Sequence, residues 1–294
     1  MLKINGLSKN FGTLEVLKDL NLQINDGAIF GLVGINGAGK STLLRIIAGV
    51  YEPEGGSVCL DDCNTYENAL IRKKISFVSD DQYYQVGATI KSTAELYRMM
   101  YDFDDEAYHK YLQMFELNED AAILNLSKGN KRRVDLLFAL SVNPKLLLLD
   151  EAYDGLEPLA RLRFKQVLIQ LVEQGMIVII SSHNLKELED ICDSFGILEN
   201  GRILEYGDLA ETKEKINKYQ VVFEQERNQD DFKEFNLMHL EHEGRVYKMV
   251  IKGNEDEVMA KLHGLNPMIV DVLPVNFEEL FIYELEGRNE NYDK

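Results

Sequence analysis

Apolar and polar positions alternate with a period of two at the start of the chain and take up a helical period further on. Leu2-Lys3-Ile4, and then Val16-Leu17 through Leu20-Asn21-Leu22-Gln23-Ile24, alternate in the manner of strands, with a turn at Asn25-Asp26-Gly27. Ala28 to Val33 is apolar or small throughout and predicts a buried strand running into a glycine-rich loop. From Ser41 the spacing changes, and Leu43, Leu44, Ile46, Ile47 and Val50 recur at helical intervals. After Pro53-Glu54-Gly55-Gly56 comes another strand, Ser57-Val58-Cys59-Leu60.

Residues from about 88 to 125 read as helix-rich and carry many tyrosines and methionines; with the helix after Ser127 they make a helical subdomain of about 88–135. These helices read mostly as core, with a partner-docking surface as the further possibility. A second alternating stretch follows: strand Leu146–Leu149, helix Leu159–Glu173, strand Ile177–Ser181, helix Lys186–Cys192, then Phe195–Leu198 and Arg202–Glu205. Strands alternating with helices imply an α/β fold with a mostly parallel sheet covered on both faces. Near Thr212–Lys218 a charged helical segment leads to a different texture. Tyr219–Glu224 and Val246–Ile251 read as strands, and Asn254–Leu262 as a helix opened by Asn254. The expected division is therefore a main domain over 1–215 and a small C-terminal α+β accessory domain over 216–294.

The chemistry begins in the loop after the buried strand. Gly34-Ile35-Asn36-Gly37-Ala38-Gly39-Lys40-Ser41-Thr42 meets every fixed position of the P-loop pattern, between a predicted strand and a predicted helix. Glycines let the backbone turn tightly, so that successive N–H groups point at phosphates, and the following helix adds the positive end of its dipole. Lys40 would supply a point charge to the β- and γ-phosphates of ATP, and Ser41 a hydroxyl ligand for Mg2+. A chance glycine turn is the competing reading, and the strand–loop–helix context argues against it. Leu146-Leu147-Leu148-Leu149-Asp150-Glu151 then delivers two carboxylates at the C-terminal end of a buried strand, where open α/β sheets place their ligands. Asp150 would hold Mg2+, through water, and Glu151 would polarise the attacking water.

Charge and cysteine content narrow the setting. A net charge of −18 over 294 residues argues against a nucleic-acid binder and against docking on anionic lipid by charge alone. The phosphate site must therefore be made by local geometry. No apolar run approaches the roughly 20 residues of a membrane span, and the N-terminus lacks a signal-peptide core. Three cysteines, Cys59, Cys63 and Cys192, fit a reducing compartment, and any membrane link would run through a partner. Cys59-x-x-x-Cys63 and His239-x-x-His242 read as structural rather than metal-binding.

Leu126-Ser127-Lys128-Gly129-Asn130, before an amphipathic helix and just ahead of the Asp150-Glu151 strand, completes a resemblance to the ABC ATPase superfamily over residues 1 to about 210. That resemblance implies a P-loop ABC ATPase fold, a mixed sheet with covering helices plus the helical subdomain. It implies a subunit that dimerises with an identical or homologous chain around two ATPs. Ser127 and the backbone at Gly129 would meet the γ-phosphate bound to the other subunit; Lys128 and Asn130 depart from the usual Leu-Ser-Gly-Gly-Gln. Phe11 looks like the aromatic that stacks on adenine, with an edge-strand Phe as the alternative, and His183 like the switch histidine at the γ-phosphate. Asp154-Gly155-Leu156-Glu157-Pro158 corresponds to the loop lining the dimer interface, with Glu157 where Asp is usual. The lid glutamine of the family aligns without gaps on Asp80; Asp80 is favoured as a Mg2+-proximal ligand and Gln82 stays the alternative. Tyr101-Asp102-Phe103-Asp104 and the signature wording are similar to bacterial exporter-type subunits. Those work at the cytoplasmic face of the membrane with separate integral membrane permease subunits. A soluble ABC ATPase acting on a non-transport macromolecule is the alternative, disfavoured because Lys40 and Ser127 lie 87 residues apart (127 − 40), with no heptads between them.

Overall fold

The computed structural model describes residues 1–80, 82–151, 156–276, 278–279 and 282–283, apart from the side chains of Glu205, Lys213 and Gln229. By its internal contacts the chain divides into Met1–Tyr206 and Gly207–Lys294. The division falls ahead of residue 216 because helix α8 (Leu209–Glu214) packs against the first strand of the second unit.

In the first unit, β1 (Leu2–Phe11) and β2 (Leu14–Ile24) form an antiparallel pair, joined by β4 (Gly55–Leu60) and the short β5 (Cys63–Asn64) in the order β2-β1-β4-β5. The remaining strands form a separate six-stranded sheet. They are β3 (Ile29–Val33), β6 (Ile75–Val78), β7 (Leu146–Asp150), β8 (Ile177–Ser182), β9 (Ser194–Glu199) and β10 (Arg202–Asp208), in the order β10-β9-β3-β8-β7-β6. The pairs β3–β8, β3–β9, β7–β8 and β6–β7 are parallel. The expected mixed sheet is thus resolved into two. Helix α1 (Lys40–Ile47) shares one core with both: Leu43, Leu44, Ile46 and Ile47 pack with Leu2, Ile4 and Leu22 of the antiparallel sheet and with Phe30, Leu148 and Ile179 of the parallel one. Val50 does not continue this helix. Gly49 adopts a left-handed φ of 70° that ends it, and Val50 is exposed.

The parallel strands are apolar without alternation because both faces are covered; Leu146 to Leu149 are fully buried. Covering helices are the four-residue α2 (Ala69–Arg72), α6 (Pro158–Glu173) and α7 (Leu185–Ile191), and the helical region holds α3 (Ile90–Met100), α4 (Asp105–Met114) and α5 (Lys128–Ser141). Short polar residues set the starts of the last three: Thr89, Asp104 and Ser127 each accept a hydrogen bond from a backbone N–H of the first turn. The tyrosine- and methionine-rich stretch splits by position. Tyr108 and Tyr111 are buried and Tyr97 stacks on Phe138 at 4.7 Å, whereas Leu96, Met99 and Met100 face outward.

In the second unit, β11 (Ile216–Val222), β12 (Leu237–Glu243), β13 (Val246–Lys252) and β14 (Ile269–Leu273) form an antiparallel sheet in the order β12-β13-β11-β14. Tyr219, Val221, Met249 and Ile251 pack with Val258 and Leu262 of helix α9 (Glu255–Gly264), whose first turn is capped by Asn254. Among the described residues of the whole chain, no helix is long and apolar enough to cross a membrane.

Candidate functional site

Sheet order brings three strand ends together. Because β8 lies between β3 and β7, Val33 stands beside Ser182 and Asp150 beside Ser181. The glycine-rich loop leaves β3 at this edge and returns as α1. Gly39 starts that helix at φ 108°, and a Cβ there would stand 2.9 Å from the Leu17 side chain, so both backbone conformation and space require glycine.

Lys40, buried to 6% exposure, folds back over its loop and donates to the carbonyls of Gly34 at 2.7 Å and Ile35 at 3.4 Å. Its Nζ stands 3.8 Å from Glu151 Oε1. The neighbouring Ser41 hydroxyl donates to Asp150 Oδ1 at 3.0 Å, and the buried Ser181 hydroxyl donates to the same oxygen at 2.8 Å. Asp150 is 1% exposed, so these hydroxyls offset much of the cost of burying its charge.

Glu151 sits in a left-handed backbone conformation, φ 51°, unusual for a residue other than glycine, asparagine or aspartate. Its N–H is shared between the Ser181 carbonyl at 3.1 Å and hydroxyl at 3.2 Å, which holds the turn in place. The carboxylate lines the cleft. One oxygen faces Lys40 and the other lies 2.7 Å from His183 Nδ1, at the end of β8. Strained backbone at a strand end that carries chemistry is a recurrent arrangement.

Asn36, Gly37, Ser41 and Thr42 line a cleft of about 550 Å3 together with Lys40, Glu151 and His183. Val16, Asp80, Lys128 and Arg132 line the same cleft. Lys40, Lys128 and Arg132 outnumber Asp80 and Glu151 in the lining, a locally cationic excess in a chain of net charge −18, as a polyanionic ligand needs. The donor set also fits Mg2+. Ser41 and Asp150 supply hard oxygens side by side, and Mg2+ usually takes one or two protein ligands with the rest from phosphates and water. Among the described residues no cluster of three or more His, Cys, Asp and Glu forms a metal cage, at Cys59/Cys63 or at His239/His242.

Other expected residues fall at varying distances from this centre. Asp80 lines the cleft, with its carboxylate 3.3 Å from Arg132; Gln82 does not line it, and its amide donates to the Phe77 carbonyl at 3.3 Å. Phe11 ends β1 half-exposed, edge-on to Tyr51 and with Lys9 over its ring, while Val16 rather than Phe11 borders the cleft. Ser127 caps α5 at an exposed position, and neither it nor Gly129 lines the cleft of its own chain. Glu157 pairs with Arg133 at 2.8 Å within the chain, which occupies the carboxylate expected at an interface; Asp154 and Gly155 lie outside the described residues. Sequence reasoning missed Arg132, Asp135 and Tyr84, although a charged pair three apart in the apolar run of α5 was the available signal.

A family model described as "ABC transporter" matches residues 17–154. The chain is 30% identical over 290 residues to the ABC transporter ATP-binding protein YtrB of Bacillus subtilis, covering 98% of this chain and 99% of that one. It is 32% identical over 223 residues to the methionine import ATP-binding protein MetN of Clostridioides difficile, covering 72% and 70%. It is 29% identical over 232 residues to the lantibiotic transport ATP-binding protein SrtF of Streptococcus pyogenes, covering 77% and 100%. Among solved structures, an ATP-binding subunit of an ABC transporter superposes with a TM-score of 0.68 at 28% identity, covering 72% of this chain and 92% of that one. The dimeric post-hydrolysis cassette MJ0796 bound to ADP and Pi superposes with a TM-score of 0.65 at 26% identity, covering 71% and 99%.

Proposed function

The chain belongs to the ATP-binding subunits of ABC transporters and is an ATPase, and from that premise we propose that it drives an exporter by closing as a dimer around two ATPs. The observation that carries the site assignment is the meeting of Lys40, Ser41 and Glu151 in one cleft, with the buried Asp150 bonded to Ser41. The lysine ammonium has three donors, and phosphate oxygens compete for those now given to the Gly34 and Ile35 carbonyls. Backbone N–H groups from Gly37 to Thr42, with the start of α1, bind the remaining phosphate charge. Ser41 and, through water, Asp150 would hold Mg2+, which would supply positive charge to offset that of the phosphates. Asp80 lines the same cleft.

Glu151 orients the attacking water and takes up its proton as the water oxygen bonds to the γ-phosphorus and the bond from that phosphorus to the β–γ bridging oxygen breaks, with ADP as the leaving group. His183, bonded to the other carboxylate oxygen, keeps Glu151 in register and contacts the γ-phosphate. Phe11 stacks on adenine. Ser127 and Gly129 close the site of the partner subunit, a copy or a homologue of this chain; neither lines the cleft of its own chain, although Lys128 between them does. Separate integral membrane permease subunits take up the motion and hold the chain at the cytoplasmic face of the membrane. Export is favoured by the exporter-type wording of the signature; the relatives include both a lantibiotic transport protein and a methionine import protein. Co-purification from detergent-solubilised membranes identifies the permease, and transport into inverted vesicles gives the direction.

Glu151→Gln keeps shape and hydrogen bonding but removes the charge. Turnover is expected to fall by about 10²-fold or more while ATP stays bound and the subunits remain dimeric. Lys40→Ala should instead abolish tight ATP binding and the ATP-dependent dimer. Phosphate release and light scattering with and without Mg-ATP measure both; a Gln variant that turns over normally in the assembled transporter removes Glu151 from the mechanism.

A further inference from the structure

Helix α5 carries two charged side chains less than one turn apart that are almost wholly buried: Arg132 at 4% exposure and Asp135 at 8%. Burying charge is costly unless every group is paired and hydrogen-bonded, so such groups persist where geometry matters. Both are paired. Arg132 donates to the Ser79 carbonyl at 2.7 Å and the Asp80 carbonyl at 3.1 Å, and stands 3.3 Å from Asp80 Oδ1. Its guanidinium also lies 3.6 Å from one oxygen of Asp135, and the other oxygen accepts the Tyr84 hydroxyl at 2.6 Å.

Ser79, Asp80 and Tyr84 follow β6 in a stretch that is therefore tied to α5 at two points, and Asp80 lines the cleft. The guanidinium holds the start of the stretch and the carboxylate holds its end. The same helix presents Lys128 to the cleft and begins at the Ser127 cap. Segment and helix thus form one wall with a set separation, and no apolar contact between them would define that separation as tightly as directed hydrogen bonds do.

We propose that Tyr84, Asp135 and Arg132 act as a positioning triad for ATP hydrolysis, fixing Asp80 and the start of α5 against the P-loop. The proposal rests on the cleft being the ATP site. Tyr84 and Asp135 act through Arg132 and the Asp80 segment, and neither lines the cleft. Burial pushes the Tyr84 hydroxyl well above its ordinary range, so it stays a donor, and burial likewise raises the Asp135 carboxyl to about 6. A carboxylate held at that cost is expected to serve placement more than stability.

The test compares Tyr84→Phe, Asp135→Asn and their double variant with the wild-type full chain, in its transporter if the isolated chain is inactive. Tyr84→Phe removes one oxygen and keeps the packed ring. Each single variant should lower kcat by about 10-fold while KM for ATP and the affinity for a fluorescent ATP analogue stay within about 2-fold. Melting temperatures should be level with wild type, or higher for Asp135→Asn at neutral pH. The double variant should be no slower than the slower single one, because both cut the same link. Wild-type kcat in both folded single variants overturns the triad, as does a kcat loss that tracks loss of thermal stability or that multiplies in the double variant. A Lys40→Ala variant that hydrolyses ATP at the wild-type rate overturns the ATP-site reading instead.

Discussion

Two regions of the chain bury their residues in different ways. In Met1–Tyr206 the interior holds Lys40, Arg132, Asp135, Asp150, Ser181 and Ser182 at or below 8% exposure, grouped around the ends of β3, β7 and β8 and along α5. Among the described residues of Gly207–Lys294 no polar or charged residue is buried to that degree. There the interior is Tyr219, Phe223, Phe232, Tyr247, Met249 and their aliphatic neighbours. Buried charge costs stability and buried aromatic surface supplies it, so the contrast separates a region shaped by chemistry from one shaped by packing. The first region accepts a left-handed glutamate and a network of paired ions; the second has an ordinary sheet-and-helix core.

The strongest way to break this comparison is at the packed core. Phe232 is fully buried with its ring centroid 5.3 Å from Tyr247 and 6.0 Å from Phe223. Phe232→Ala should cost the second unit about 3–5 kcal/mol of stability and leave ATP affinity unchanged. Hydrogen exchange resolved along the chain, beside nucleotide titration, measures both. A parallel loss of ATP binding would show that the nucleotide site depends on this core.

The next effect runs the other way, from chemistry to stability. The folded protein binds a proton at Asp135 more tightly than the unfolded chain does, since its carboxyl is raised from 3.8 to about 6 by burial, with Tyr84 and Arg132 pulling it back. Stability from this group is therefore present below about pH 4 and lost as pH rises through about 6, up to about 3 kcal/mol in total. The difference in denaturant midpoint between wild type and Asp135→Asn should change across that window in favour of the variant as pH increases. A difference that stays constant from pH 4 to 7 contradicts the assignment.

The smallest expected effect concerns the cleft wall. Asp80→Ala should lower kcat/KM by about 10-fold, roughly 1.4 kcal/mol, and Gln82→Ala by less than about 2-fold. Steady-state ATPase assays of the two variants suffice, and a reversed order moves the lid role to Gln82.

Local patterns in the sequence determined much of this. The P-loop, the Asp150-Glu151 strand end, the parallel character of the main sheet and the Asn254 cap all follow from residues close together in the chain, where spacing sets face, turn and cap. The end of α1 lay within reach as well, since Gly49 is the cue that Val50 would fall outside the helix. Tertiary structure alone decided what meets what. Ser41 and Asp150 are 109 residues apart and touch because β8 enters between β3 and β7, an order that apolar periodicity does not encode. The separation of the antiparallel sheet from the parallel one, the turned backbone of Glu151, its bond to His183 and the clamp of Tyr84 and Arg132 around Asp135 have the same origin. Each depends on long-range packing, which joins residues far apart in the chain and is therefore invisible to local spacing.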